Sequence, residues 1–274
     1  MIAQQEASSP LLKRVIVLSY NNYSNFGDRL GYHVLNGIMP PYAEVTYGNL
    51  DPWTVPDKPY DLLILGLGNS LLPQDARSAE LAELMERVPQ SIGIFGTQYR
   101  SLFHQGPTRE GLQRILSNLT TWWARHEDDI RIFGGGRANV RHLGDWLITA
   151  FPMASPSFEK GLRIPDEFGA ENLPMDRVIQ QIQSYAAVSS GRLHPLLCAL
   201  TSAKEVEYKE QRIIAGSSEA SGKFASMLID IFGRTFDEGI SFPVDRAAVL
   251  RYKVKVTANV DELRQQLATL LAPL

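Results

Sequence analysis

Val15-Ile16-Val17-Leu18 is an apolar, mostly β-branched run without any polar residue between its members. Such a run is typical of a strand that is buried on both faces, as the strands of a parallel sheet are. A polar loop follows at residues 20–27, and apolar residues then recur at helical spacing across residues 30–38. We expect this helix to begin near Asp28, because aspartate is a favoured N-cap residue. The stretch therefore predicts a strand, loop and helix of an α/β fold.

The same strand, loop and helix pattern recurs along the chain. Further strands are predicted at residues 44–47, 62–65, 91–95, 121–125, 140–143, 186–188 and 205–208. Further helices are predicted at residues 79–87, 108–119, 175–184, 195–199, 223–232 and 260–271, the last capped by Asn259. This alternation predicts a doubly wound α/β sheet, in which ligands bind beyond the carboxyl ends of the strands.

Residues 151–174 interrupt the pattern. Prolines are spread there among Ser, Gly and Glu, which predicts a linker or an irregular crossing segment. We therefore expect two α/β lobes that are Rossmann-like. The first covers residues 1–150, and the second, smaller lobe covers residues 151–274 and includes the terminal helix.

The composition indicates a globular protein, since 44% of the 274 residues are hydrophobic and 21% are charged. A formal net charge of −3 offers no positive field for nucleic acid, so no nucleic-acid partner is expected. The single cysteine, Cys198, lies in an apolar stretch where core packing is expected, and neither a disulfide nor a Cys-based zinc site is predicted. Residues 1–10 lack a signal-peptide pattern and no apolar run approaches ~20 residues, so we expect a cytosolic protein, free or resting on a membrane.

Arg192 and His194 give the strongest chemical signal. They follow a small-residue strand that ends in Ser-Ser-Gly, and Pro195 suits the first position of the next helix. Both side chains would then lie at a helix N-terminus, which favours anions. An Arg fork matches a carboxylate or phosphate, and a His titrates near neutral pH, so the pair suits acid catalysis on an anionic substrate. The alternative is an Arg in a salt bridge and a His that caps the helix.

Three other strand ends carry polar side chains. Arg125 or His126 could face the same cleft, although an aromatic core followed by an exposed charged loop explains that stretch equally well. The amide-rich residues 20–27 are well placed to bind sugar hydroxyls or anions, but Asn and Gly are also ordinary turn residues. Lys209 could add positive charge to the site, or it could be a solvated strand end.

Several apparent motifs do not carry chemistry. Residues 216–223 resemble a phosphate-binding loop, but the segment has one residue too many and Phe224 stands where Ser or Thr is required. His33, His104 and His142 show no metal-ligand spacing, so no metal site is predicted.

Four stretches, in this order, resemble the polysaccharide pyruvyl transferase family. They are Asn25-Phe26-Gly27-Asp28, Gly66-Leu67-Gly68, Ala124-Arg125-His126-Glu127, and Arg192-Leu193-His194 followed by Glu207-Tyr208-Lys209. Each stretch is short, and the ordered set is more specific than any one member. His126 is a departure, since the family pattern has its acidic residue directly after the Arg.

The resemblance implies a two-lobed fold similar to that of GT-B glycosyltransferases. It also implies transfer of the enolpyruvyl group of phosphoenolpyruvate to a sugar or lipid-linked glycan, with a pyruvate ketal as the product. Arg125 and Arg192 would bind phosphoenolpyruvate and His194 would be the catalytic acid. Implied substrate-binding residues are Asn22, Asn25, Gly27, Asp28, Gly68, Asn69 and Lys209. Phosphoenolpyruvate is a substrate in this scheme, which needs no metal or redox cofactor.

Two alternative functions stay open at this point. A glycosyltransferase that uses a nucleotide sugar would need a nucleotide pocket in the second lobe. A non-catalytic glycan-binding relative would bind a sugar without turnover, which the short second lobe would allow.

Overall fold

Residues 15–18 form the middle of the first strand, β1 (Lys13–Ser19), and their side chains are fully buried. This computed structural model describes residues 12–20, 25–68, 70–104, 106–165, 173–212 and 219–272. β1 lies inside the larger of two sheets, between two parallel neighbours, as burial on both faces requires. The predicted α/β class with a second, smaller sheet is confirmed.

Strands and helices alternate along most of the chain. The strands after β1 are β2 (Ala43–Leu50), β3 (Trp53–Thr54), β4 (Leu62–Leu65), β5 (Ser70–Leu71), β6 (Gln90–Thr97), β7 (Thr121–Ala124), β8 (Val140–His142), β9 (Phe158–Ile164), β10 (Tyr185–Ser190), β11 (Glu205–Tyr208) and β12 (Phe242–Pro243). The helices are α1 (Phe26–Ile38), α2 (Pro73–Ala76), α3 (Ala79–Arg87), α4 (Gly106–Asn118), α5 (Glu127–Asp129), α6 (Met175–Gln183), α7 (Leu193–Leu200), α8 (Lys223–Phe232) and α9 (Arg246–Leu270). Short 3-10 helices cover Arg100–Phe103 and Trp146–Ala150, and a π-helical turn covers Ile130–Gly134.

Both sheets are mainly parallel. The larger has the order β3-β2-β1-β4-β6-β7-β8, with β5 beside β6, and only β3 runs antiparallel to its neighbour. The smaller has the order β12-β11-β10-β9, in which β9, β10 and β11 are parallel. Parallel neighbours place their carboxyl ends at one edge, so loops that are distant in sequence meet there.

The predicted irregular segment at residues 151–174 is wrong in part, because it contains β9. This strand lies at the edge of the smaller sheet, and of its residues only Ile164 is fully buried. An exposed edge strand needs no continuous apolar run, so the sequence carries no such signal there. Residues 166–172 of the segment lie outside the described part of the chain.

Three predicted helix starts also need correction. The N-cap of α1 is Asn25 rather than Asp28, and its side-chain oxygen accepts hydrogen bonds from Gly27 N at 2.9 Å and Asp28 N at 3.4 Å. Pro195 is the third residue of α7, not the first, which its missing N–H still permits. The last helix begins at Arg246 and not at Asn259.

The terminal helix α9 is twice as long as its sequence predicted. Asp245 caps it by accepting hydrogen bonds from the backbone of Ala247 and Ala248. Asn259 lies inside the helix and donates to the carbonyls of His142 and Leu143 in the first lobe. The helix therefore packs back across the larger sheet. None of the described helices combines the length and the hydropathy that a membrane crossing requires.

The core consists of two buried apolar clusters, and the two lobes share one of them. One buried cluster fills a single face of the larger sheet and stays within the first lobe. The other cluster begins on the opposite face, includes side chains of α1 and of Trp146–Ala150, and continues through α7, α8 and α9 into the smaller sheet. The lobes are consequently joined by packed side chains and not only by the connecting chain.

Candidate functional site

A cleft of about 510 Å³ lies where the carboxyl ends of strands from both sheets approach each other. One wall follows β1, β2, β6 and β7, and the other is formed by the segments after β10 and β11 with the first turns of α7 and α8. Five residues predicted from the sequence line it: Asn25, Asp28, Arg125, Arg192 and His194. The fold therefore brings together side chains that are far apart in the chain.

The ring of His194 lies directly on the backbone of Gly27. His194 is the second residue of α7, and Arg192 is the N-cap of that helix. A Cβ atom added to Gly27 would stand 1.8 Å from His194 Nδ1, a distance that no side chain could tolerate. Gly27 was predicted to bind substrate. In the structure, the absence of a side chain at Gly27 makes room for the imidazole of His194.

Asp145 lies behind His194, below the surface of the cleft. Its Oδ2 atom is 3.5 Å from His194 Nε2, and the carboxylate is completely buried. Burial alone would raise the pKa of this carboxyl, but the neighbouring His194 and Arg125 lower it below its usual range. Neither carboxylate oxygen has a hydrogen bond within the described residues. An ionised Asp145 therefore stabilises positive charge on the imidazole.

Arg125 follows β7 and is 2% exposed, so its guanidinium is held by the protein before any ligand binds. It donates to the carbonyl of Gly68 and, over 2.7 Å, to Ser70 Oγ. Gly68 was predicted as a binding residue, and its carbonyl positions Arg125. These acceptors are neutral, so the positive charge of Arg125 is not cancelled by a directly bonded carboxylate.

The lysine that lines the described part of the cleft is Lys223 and not Lys209. Lys209 is exposed beyond the end of β11 and is absent from the described lining of the cleft. Lys223 is the first residue of α8, and its Nζ donates to Gln211 Oε1 at the cleft wall. Burial, together with the positive charge of Arg125, lowers the pKa of the Lys223 amine to about 7. The prediction of a lysine at the site was therefore attached to the wrong residue.

The amide-rich loop is described only in part. Asn25 lines the cleft and caps α1, and Asp28 lines it from the first turn of that helix. Asn22 and Asn69, both predicted to bind substrate, lie outside the described residues.

Comparison with known proteins gives little further guidance. No protein-family model matches the chain. No curated protein matches it. Among solved structures, one described as the glycotransferase of kitacinnamycin is similar over 96% of this chain and 96% of its own, with 12% identity and a TM-score of 0.41. A likeness at this level says nothing of activity, so the functional argument rests on the cleft.

Sequence reasoning missed several polar residues at or below the cleft, among them three acidic or amide side chains and a lysine. Asn49 and Asp51 come from the end of β2, and Asp145 comes shortly after β8, so the strand-end rule could have found all three. Lys223 carries no such signal, since it reaches the cleft from a helix of the second lobe. Its segment was set aside as an incomplete phosphate-binding loop, and residues 216–218 of that segment lie outside the described part of the chain.

The cleft suits two ligands side by side. One is a small polyanion, and the other is an uncharged polar molecule. Arg125, Arg192 and Lys223 supply cationic groups, and His194 can give or take a proton. The described residues contain no group of three or more His, Cys, Asp or Glu side chains placed to hold a metal ion.

Proposed function

We propose that the protein transfers the enolpyruvyl group of phosphoenolpyruvate to a sugar or glycan and forms a pyruvate ketal. The observation that carries the proposal is the convergence of Arg125, Arg192, Lys223 and His194, from both sheets, on one cleft. Fully ionised phosphoenolpyruvate bears a carboxylate and a phosphate group on the same carbon atom. Two guanidinium forks and an ammonium group suit both anions, and the imidazole supplies the proton that the reaction needs first.

The proposed reaction starts with proton transfer from His194 to the methylene carbon of phosphoenolpyruvate. Nε2 of the ring is enclosed against Asp145, so the proton transfer is assigned to Nδ1, the nitrogen that lies beside Gly27. The π electrons of the double bond form the new C–H bond, and the neighbouring carbon becomes electron-deficient. The Asp145 carboxylate lies 3.5 Å from Nε2 and orients the ring for this step.

Two additions complete the ketal. A sugar hydroxyl adds to the electron-deficient carbon and returns a proton to His194. The C–O bond to phosphate then breaks, its electron pair leaves on the phosphate oxygen, and a second hydroxyl adds to the same carbon. The second hydroxyl proton leaves with the phosphate as hydrogen phosphate, so atoms and charge balance. The cationic side chains stabilise the charge that develops on the departing oxygen.

The wall formed by the larger sheet also carries groups that suit the acceptor. Asn25, Asn49 and Asp51 lie there, and their amide and carboxylate groups are the donors and acceptors that bind sugar hydroxyls. This wall therefore offers uncharged and acidic groups for the acceptor in addition to the guanidinium of Arg125 for the donor.

Phosphate release in the presence of candidate sugars tests the proposal. The protein is mixed with phosphoenolpyruvate and an acceptor, and inorganic phosphate is measured. Thermal unfolding with each ligand alone is the parallel measurement, because a ligand at ~100 times its Kd stabilises by about 2.7 kcal/mol. Stabilisation by a nucleoside diphosphate but not by phosphoenolpyruvate would favour a nucleotide-sugar transferase. Sugar binding without phosphate release would favour a non-catalytic glycan-binding protein.

Binding of phosphoenolpyruvate is expected to weaken as pH rises above 7. With a pKa of about 7, Lys223 loses its positive charge above that pH, and the charged form is the one that attracts the anion. Below pH 7 the amine is protonated and its contribution is complete. We expect the Kd, measured by calorimetry, to rise up to ~10-fold per pH unit, since one pKa unit corresponds to a factor of ten in the two forms.

Lys223→Arg is the matched control for this pH dependence. A guanidinium stays protonated over the whole range, so the Kd of this variant should change much less between pH 7 and higher pH. An equal slope in both proteins would show that another group titrates.

A further inference from the structure

We propose that Asp230 and His126 are positioning residues that fix the guanidinium of Arg125, so that the second lobe controls anion binding in the first. This inference depends on the proposed function only for the identity of the anion that Arg125 binds. The hydrogen bonds themselves do not depend on it. It concerns a buried chain of three side chains: Asp230 on α8, His126 after β7, and Arg125 at the cleft.

Hydrogen-bond geometry fixes the direction of this chain. Arg125 Nε lies 3.0 Å from His126 Nε2, and an arginine Nε–H can only donate. His126 Nε2 must therefore present its lone pair, so the ring proton of the neutral imidazole is on Nδ1. Nδ1 lies 3.1 Å from Asp230 Oδ2 and donates to it. Asp230 thus selects the tautomer of His126 that can accept from Arg125.

Burial makes this chain rigid. The His126 side chain is 0% exposed and that of Asp230 is 2% exposed, so water does not compete for these bonds. Burial alone would raise the pKa of Asp230, but the imidazoles of His126 and His142 lower it to about 2, and the carboxylate stays ionised near neutral pH. Asp230 Oδ1 also accepts from the backbone of Glu127, which holds the start of α5.

The contact matters because α8 contributes to the cleft at its other end. Lys223 begins the helix at the cleft wall, and Asp230 lies two turns later, against His126, which in turn contacts Arg125. One helix therefore supplies one cationic group directly and orients another through His126. A shift of α8 would move both groups at once.

The test replaces Asp230 with Ala and with Asn, and measures two independent properties. We expect Asp230→Ala to raise the Kd for phosphoenolpyruvate by about tenfold to a hundredfold, the usual value of a hydrogen bond to a charged group. Asp230→Asn should stay close to the wild type, because its amide oxygen accepts the same Nδ1–H. Nitrogen-15 NMR reports which His126 nitrogen carries the proton, and whether the Arg125 Nε–H is protected from exchange with water.

Asp128→Asn is the matched control. Asp128 also joins α5 to α8, since its Oδ2 accepts from Ser226 Oγ at 3.1 Å, but no described contact links it to His126. The proposed hydrogen-bond chain from Asp230 to Arg125 is supported if Asp230→Ala loses protection of the Arg125 Nε–H while Asp128→Asn keeps it. It is overturned if His126 carries its proton on Nε2, or if both variants lose affinity equally.

The NMR result separates this inference from the proposed function. If the wild type shows the Nδ1–H tautomer and a protected Arg125 Nε–H but does not bind phosphoenolpyruvate, the chain stands and the proposed function fails. If folding of Asp230→Ala is impaired, His126→Gln replaces it, since a glutamine amide oxygen can accept from Arg125 and should preserve the protection.

Discussion

Replacement of His194 with Gln is expected to lower kcat by ~10²–10⁴-fold, the usual contribution of a positioned general acid. Glutamine is similar in length but cannot deliver a proton to carbon. The Kd for phosphoenolpyruvate should change little, because the groups proposed to bind the anion are Arg125, Arg192 and Lys223 and not the imidazole. Steady-state phosphate release gives kcat, and calorimetry gives the Kd.

His33→Gln is the control for this substitution. His33 is exposed on α1, so the same chemical change there should leave both quantities as they are. Phosphate release by His194→Gln at a rate near that of the wild type would remove the acid role from His194.

Replacement of Gly27 with Ala is expected to have a nearly equal effect on kcat. The new methyl group would stand 1.8 Å from His194 Nδ1, so the ring must leave its place beside Asp145. Overpacking of this kind costs about 1–3 kcal/mol of stability, which thermal unfolding measures. Affinity for phosphoenolpyruvate should be largely retained, since the new methyl group meets the His194 ring.

Gly37→Ala separates this steric effect from a general effect on α1. A Cβ at Gly37 has no atom within 4 Å, and the change should leave kcat unaltered. Combining Gly27→Ala with His194→Gln provides a second control. If Gly27 acts through the imidazole, the double variant is no slower than His194→Gln alone. A further multiplied loss would indicate a separate function of Gly27.

The sequence predicted the central strands of the larger sheet well because those strands are buried on both faces. Residues 15–18 and β4 are continuous apolar runs, and such runs have few alternative structures. β9 was missed because an edge strand exposed to water has no comparable pattern. The start of α9 was misplaced because its first half carries many charged residues, although Asp245 provides a standard cap.

The candidate site was predictable where a polar residue directly follows a strand. Arg125 and Arg192 were found in this way, and both line the cleft. Lys209 satisfied the same rule and faces solvent, because the rule gives the edge of the sheet but not the direction of a side chain. Lys223 and Asp230 approach from α8, and only the packing of the two lobes brings them near Arg125.

The apolar cluster that joins the two lobes has a consequence for the proposed reaction. A hinge motion that opened the cleft would separate side chains of α1 from those of α7, and water would enter the core. The dipoles and charges that would surround the proposed anion are therefore set during folding and would not need to be rearranged in each turnover. In the proposed enzyme, this electrostatic stabilisation is a property of the folded chain, established once when the polypeptide folds.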